Sequence, residues 1–391
     1  MVEVTSFVNT QSRNDRIAKI KAARQRSLLS MTVLLIALTG CDGFFVPPDN
    51  SGGGSTTNNR MYVANATTSS LSAFTIGTNT LTAISGSPIS LSYVPVSAVV
   101  TPSNSFLYLA GPGAIFRYTI NSDGTLTTPS TGAAVSAVSA VSLAVSPDGK
   151  WLFGLDNTTL VLDEFQIDSS TGSLSAIAAT PYSVGNAVVA QKEVKVSPAG
   201  NLVFIALGTG GDVVFTLNTS TGAVANSQTL APTTTSSDNG LAIDSTGSFL
   251  YIARSGAGGG LAVYSIGAGG VLNSIAGSPF AAGNSPNSVV LDSTGKYVYV
   301  SNRGDGTISG YSIGSGSLLT ALNGSPYTSG SLLTSLAVDK SGKYLLAGAF
   351  GGGPDLSMYS FDGTSGGKLN LTTSAASGTD PAGVVSIALT H

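Results

Sequence analysis

A turn residue returns every 45 to 51 positions and limits what this chain can fold into. Asn58, Asn104, Gly149, Gly200, Gly247, Gly295 and Gly342 are spaced by 46, 45, 51, 47, 48 and 47 residues. All are Gly or Asn, the residues that best tolerate a left-handed backbone in a tight turn. Two residues later the chain reads Arg60, Phe106, Trp151, Leu202, Phe249, Tyr297 or Tyr344, large and apolar in six of seven copies. Pro286–Gly330 shows the unit in full. Four short runs of β-branched and aromatic residues are bounded by Gly, Asn, Asp and Ser, with no helical period. Four strands repeating at this period predict an all-β, seven-bladed β-propeller of four-stranded antiparallel blades.

The first copy has no inner strand ahead of it, only a Gly/Ser/Thr tract. Asp380–Ile387 resembles the inner strand of Ser285–Asp292, so the C-terminal strand is expected to complete blade 1 and close the ring. Closure removes the open sheet edges that invite aggregation. The blades are predicted at 59–95, 96–137, 138–185, 186–231, 232–284, 285–331 and 332–379. Hairpins such as Asp244-Ser-Thr-Gly247 and Asp339-Lys-Ser-Gly342 join inner to second strands, their leading side chain accepting a backbone N–H. Gly-Ser-Pro plus an apolar residue, at Gly86, Gly277 and Gly324, punctuates the blade ends.

Upstream of the repeats lie an export signal at 1–40 and a tether at 41–58. Residues 13–26 carry six basic side chains, and Ser27–Gly40 is apolar but short for a membrane span. The ending Leu38-Thr39-Gly40-Cys41 resembles the bacterial lipobox, which implies lipidation of Cys41 and an exported, lipid-anchored protein of the bacterial cell envelope. Cys41 is the chain's only cysteine, so the exported domain has no internal disulfide. Pro47-Pro48 and Gly52-Gly-Gly-Ser55 give 42–58 the composition of a flexible tether. Residues 1–40 hold six of the 17 basic and two of the 20 acidic side chains, so residues 41–391 are more acidic than the whole chain's −3. An acidic ring without a basic stripe is a poor nucleic-acid binder. A monomer is expected, touching the membrane only through the anchor.

The pattern hhhDxxGKxhYVxN…GSPh over 59–391 resembles the lactonase family of seven-bladed propellers, which includes 6-phosphogluconolactonases, and the related YVTN-type surface propellers. Tyr299-Val-Ser-Asn-Arg-Gly304 is the strongest local match. The resemblance implies a lactone or sugar-acid ligand at the channel mouth, and catalysis by His, Glu and Arg.

In such a ring the hairpins occupy one face. The blade crossovers and second-to-third-strand loops surround the channel mouth on the other. Aligned on the turn residue, the inner strands open at Ser97, Ser142, Glu193, Gly240, Ser288, Ser335 and Gly383, preceded by Val96, Val141, Lys192, Asn239, Asn287, Thr334 and Ala382. Lys192, Glu193 and Lys195 stand out in a chain poor in charge; the alternative is a solvated ion pair on a strand end. Asn65, Asp156, Arg254, Asn302 and Arg303 are the polar loop candidates. Glu193 is the candidate base, and Lys192, Arg254, Asn302, Arg303, Asn287 and Asn65 the candidate ligand contacts. The histidines implied by the resemblance are missing, since the sole histidine is His391. That absence favours an envelope binding or scaffolding module over a lactone hydrolase and leaves the enzyme question open. Gly310-Tyr-Ser-Ile-Gly314 matches a nucleophile elbow but lies in a repeated strand. With no HxH, HExxH or CxxC pattern, neither a metal nor another cofactor is expected.

Overall fold

A computed structural model describes residues 59–128, 134–156, 158–177, 182–183 and 193–391. The export segment, Cys41, the tether and Lys192 lie outside the described residues.

Seven antiparallel sheets form the domain, each of four main strands, in sequence order in six of them, and four of the seven gain a further short strand. In blade 6, for example, Pro286–Leu291, Tyr297–Asn302, Thr307–Ile313 and Leu319–Ala321 run from inside to outside. Blade 1 takes its inner strand from the far end of the chain. Val384–Leu389 pairs antiparallel with Arg60–Asn65, setting Met61 opposite Leu389 and Val63 opposite Ile387. The ring is therefore closed as the repeat pattern predicts.

The hairpins form for the expected reason. One carboxylate oxygen of Asp292 accepts from Lys296 N and Tyr297 N at 2.9 and 2.8 Å, and Asp339 treats Lys343 N and Tyr344 N in the same way. Ser146 and Ser197 replace the Asp with a hydroxyl that accepts from Trp151 N and Leu202 N. Each Gly-Ser-Pro serine accepts an N–H of its own blade's third strand: Ser87 from Ala73, Ser278 from Val263, Ser325 from Gly310. The punctuation thus folds the chain back onto its blade before the crossover.

Strand alternation gives every blade two apolar faces. Tyr62, Ala64 and Leu71 pack toward Leu107 and Leu109 of blade 2, whereas Met61, Val63 and Phe74 pack toward Leu346 and Met358 of blade 7. Seven such clusters, one per blade junction, make up the described core. No single centre is needed, because each blade buries surface against its neighbours.

One position of the sequence alignment is corrected. In blade 1 the residue level with the other inner-strand openings is Ser386, not Gly383. Ser386 pairs with Ala64, as Ser97 pairs with Ala110, Ser142 with Leu155 and Glu193 with Ala206. Gly383 instead sits at φ +74° where a Cβ would lie 2.2 Å from Thr67 Oγ1, in the turn that feeds the strand. Val385, not Ala382, is accordingly the preceding residue.

Candidate functional site

The seven inner strands surround a channel that opens into a cavity of about 490 Å³. Its wall begins with the residues that open each strand, and these also fasten the blades together. Ser97 Oγ accepts from Leu143 N at 3.2 Å, Ser142 Oγ from Val194 N at 3.1 Å, and Glu193 Oε2 from Leu241 N at 2.6 Å. Past blade 5 the pattern resumes: Ser288 accepts from Leu336 N, Ser335 from Ile387 N and Ser386 from Ala98 N, at 3.1 to 3.2 Å. Six of seven junctions carry this side-chain-to-backbone link. The seventh has Gly240, where a Cβ would stand 2.4 Å from Asn287 O. There the blades approach too closely for a side chain, and Asn239 closes the gap by donating to Pro286 O at 2.8 Å.

Each ring serine has its oxygen occupied by a neighbouring N–H, and no acceptor among the described residues takes its hydrogen. Hydroxyls both donate and accept, so five remain as donors at the cavity wall. The serines recur at fixed spacing in the sequence, but their role shows only once the ring is assembled.

Glu193 and Arg303, from blades 4 and 6, both line this cavity, together with Lys195, Asn239 and Asn287. Glu193 Oε1 pairs with Lys195 Nζ at 2.7 Å, with the side chains 26% and 45% exposed. A carboxylate accepts about four hydrogen bonds, so Glu193 keeps accepting capacity beyond these two contacts. Asn287 Nδ2 donates to Thr334 O at 2.9 Å, holding blade 6 to blade 7. The Arg303 side chain makes no hydrogen bond or ion pair among the described residues, and its buried Nε has no partner.

Three predicted contacts lie elsewhere. Asn302 is fully buried; Nδ2 donates to Thr307 and Ser309 while Oδ1 accepts from Gly283 N. It shapes the loop that presents Arg303, whose own N–H donates to Ser285 O. Asn65 does similar work in blade 1, donating to Ser70, Ser72 and Ser377 O. Arg254 is bound by Asp238 through two contacts of 2.5 and 2.8 Å and by the Tyr264 hydroxyl. Asp238 raises the already high pKa of this guanidinium further. None of the three faces the cavity, because their place in the second strand points sideways into the blade stack. Asp156 likewise caps its own loop, accepting from Thr158 N and Thr159 N.

His391 lies on the hairpin face, its ring against Val100 O and its N–H donating to Asn104. Ser312 of the elbow-like sequence sits in a third strand and donates to Thr320 O. Glu164 is half-buried on the third strand of blade 3, where desolvation lifts its carboxyl to about 7, but it does not line the cavity.

A family model described as "Lactonase, 7-bladed beta-propeller" matches residues 277–385. No curated protein matches the chain. Among solved structures, a candidate 6-phosphogluconolactonase from Bacteroides uniformis is 17% identical with a TM-score of 0.68, over 85% of this chain and 99% of that one. A periplasmic gluconolactonase of Pseudomonas aeruginosa is 16% identical with a TM-score of 0.64, over 85% and 99%. The chain is thus a seven-bladed β-propeller related in fold to the bacterial lactonase-like proteins.

Proposed function

We propose that this protein hydrolyses a lactone at the mouth of its central channel. The observation that carries the reading is that Glu193 and Arg303, far apart in sequence, line one cavity. The family match at 277–385 and the gluconolactonase folds support it. In the proposed reaction Arg303 holds the lactone carbonyl and stabilises the oxyanion. Glu193 takes a proton from water as the water oxygen bonds to the carbonyl carbon. The ring C–O bond then breaks, and the proton on Glu193 passes to the leaving alkoxide. The carboxylic acid so formed loses its proton to solvent, and the hydroxycarboxylate remains against Arg303 until release, while Lys195 holds the Glu193 carboxylate in place.

A binding module is the second reading. Both Glu193 oxygens already have protein partners, and no imidazole lines the cavity among the described residues. Assaying glucono-δ-lactone and related lactones separates the two. Glutamine at 193 keeps an oxygen for Leu241 N but cannot take a proton, so Glu193→Gln is expected to lower kcat by about 10²–10⁴-fold and leave product affinity nearly unchanged. Undiminished turnover in that variant removes Glu193 as base. A wild-type protein that binds hydroxycarboxylates without turning over any lactone is a binder.

The same proposal places the ring outside the cytoplasmic membrane, tethered through 42–58 to a lipidated Cys41; the lipobox resemblance supports this. Cys41→Ser removes the acylated thiol and is expected to move the protein from the detergent phase to the aqueous phase. Unchanged partitioning contradicts the anchor.

A further inference from the structure

The mouth of the channel is not equivalent around its circumference. One residue ahead of the ring positions, blades 1, 2 and 3 present Val385, Val96 and Val141, all lining the cavity. At the same level blades 5, 6 and 7 present Asn239, Asn287 and Thr334. In blade 4 that position is 192, outside the described residues. The loops above follow the same division. Arg303 of blade 6 and Phe350 of blade 7 occupy the same place in successive blades and both line the cavity. Phe350 borders the valine arc, and Arg303 stands over the amide arc.

Packing between blades accounts for only part of this arc: Val141 and Val385 are half-buried and rest against the apolar clusters of their junctions while still lining the cavity. Val96 is 36% exposed and takes no part in the apolar clusters. Valines that line the cavity on three consecutive blades, opposite amides and a guanidinium without a protein partner, form a two-sided receptor. Among the described lining residues, Arg303 and Lys195 against Glu193 leave one positive charge in excess.

We infer that the cavity takes an amphipathic organic anion: a hydroxycarboxylate, with its parent lactone, whose oxygen-bearing end faces blades 4–6 and whose alkyl or aryl flank lies on the valines of blades 1–3. This rests on the lactone reading only for the parent lactone; binding of the acid stands without turnover. A fully hydroxylated sugar acid does not fit as well, because its hydroxyls would lose water against Val385, Val96 and Val141.

Calorimetry with two acids of equal charge, gluconate and 4-hydroxyoctanoate, tests this. The wild-type protein is expected to bind 4-hydroxyoctanoate at least about tenfold more tightly, the scale of a few buried methylenes. Val96→Thr changes little in shape at an exposed site and is expected to reduce that preference about threefold, and Val96→Thr with Val141→Thr to abolish it. Arg303→Gln weakens both acids alike, by about tenfold or more. Gluconate binding as tightly as 4-hydroxyoctanoate, failure of both acids to bind at millimolar concentration, or a preference that survives undiminished in folded Val96→Thr overturns the inference. The two proposals fail separately. Selective binding without hydrolysis of the corresponding octanolactone leaves the ligand class standing and removes the hydrolase. Turnover of glucono-δ-lactone with no alkyl preference does the reverse.

Discussion

Arg254 shows how a side chain's neighbours decide whether its charge is available. In sequence it is a loop cation near the mouth; in the ring it belongs to a buried group with Asp238 and Asp212. Asp212 is 3% exposed, and neither carboxylate oxygen has a hydrogen-bond partner among the described residues. Burial, then the charge of Asp238, hold its pKa well above the carboxylate range, and Arg254 offsets this only in part. The folded protein therefore prefers Asp212 protonated, while the unfolded chain ionises it near pH 4. That preference contributes stability fully below about pH 4 and loses it as pH rises toward the folded value. Half-buried Asp163 and Glu164, raised to about 6 and about 7, add to the same trend. Wild-type Tm is expected to fall between pH 5 and pH 8, and Asp212→Asn to flatten that slope and gain about 2 °C or more at pH 8. Parallel pH–Tm curves for the two proteins would remove Asp212 from this account. None of it was legible in the sequence, because the Asp238–Arg254 pairing depends on an irregularity between Asp238 and Gly240 in the strand register.

At the scale of strands and turns, the sequence carried much more. Turn residues, alternation and the Gly-Ser-Pro punctuation are local, so spacing alone revealed the hairpins and the blade count. Contacts between blades were not legible, since their partners lie some fifty residues or more away. The tyrosines of the second strands are the clearest case. Tyr62 donates to Gly124 O at 3.0 Å and Tyr108 to Gly172 O at 2.8 Å, each reaching the outer hairpin of the next blade. Tyr299 reaches Gly367 O in the same way, and Tyr251 meets Ser317. In sequence these residues read only as β-formers; in the ring they fasten its outer rim, as the serines fasten its inner one. The Gly383 misalignment has a similar origin, because the turn before the closing strand shifts its register by three residues relative to a Pro-anchored alignment. Tyr299→Phe keeps the ring packing but strands a buried carbonyl, so it is expected to cost about 1–3 kcal/mol in denaturant unfolding with an unchanged m-value. A variant as stable as the parent would show that Gly367 O finds water instead.

For the whole molecule, closure follows from how the core is distributed. Each apolar cluster belongs to two blades, so an open ring would leave one blade face without its partner. The closing strand serves two junctions: Val384 packs with Met61 and Leu346 between blades 7 and 1, and Ala388 with Tyr62 and Leu107 between blades 1 and 2. It also carries Ser386, the link to blade 2, and it covers the hydrogen-bonding edge of Arg60–Asn65. Removing residues 380–391 takes away all of these together. Truncated protein is expected to associate through the exposed edge and to lose its single cooperative unfolding transition, because blade 1 loses support at both of its junctions and no longer couples blade 7 to blade 2. A synthetic peptide of residues 380–391, added in trans, supplies the same apolar contacts and backbone pairing. It is expected to restore monomeric elution and the cooperative transition in proportion to its concentration. If the truncated ring is already monomeric and melts as the parent does, the strand is an ornament on a ring held by its other five junctions. If the peptide binds without restoring cooperativity, covalent continuity rather than strand pairing couples the first blade to the last.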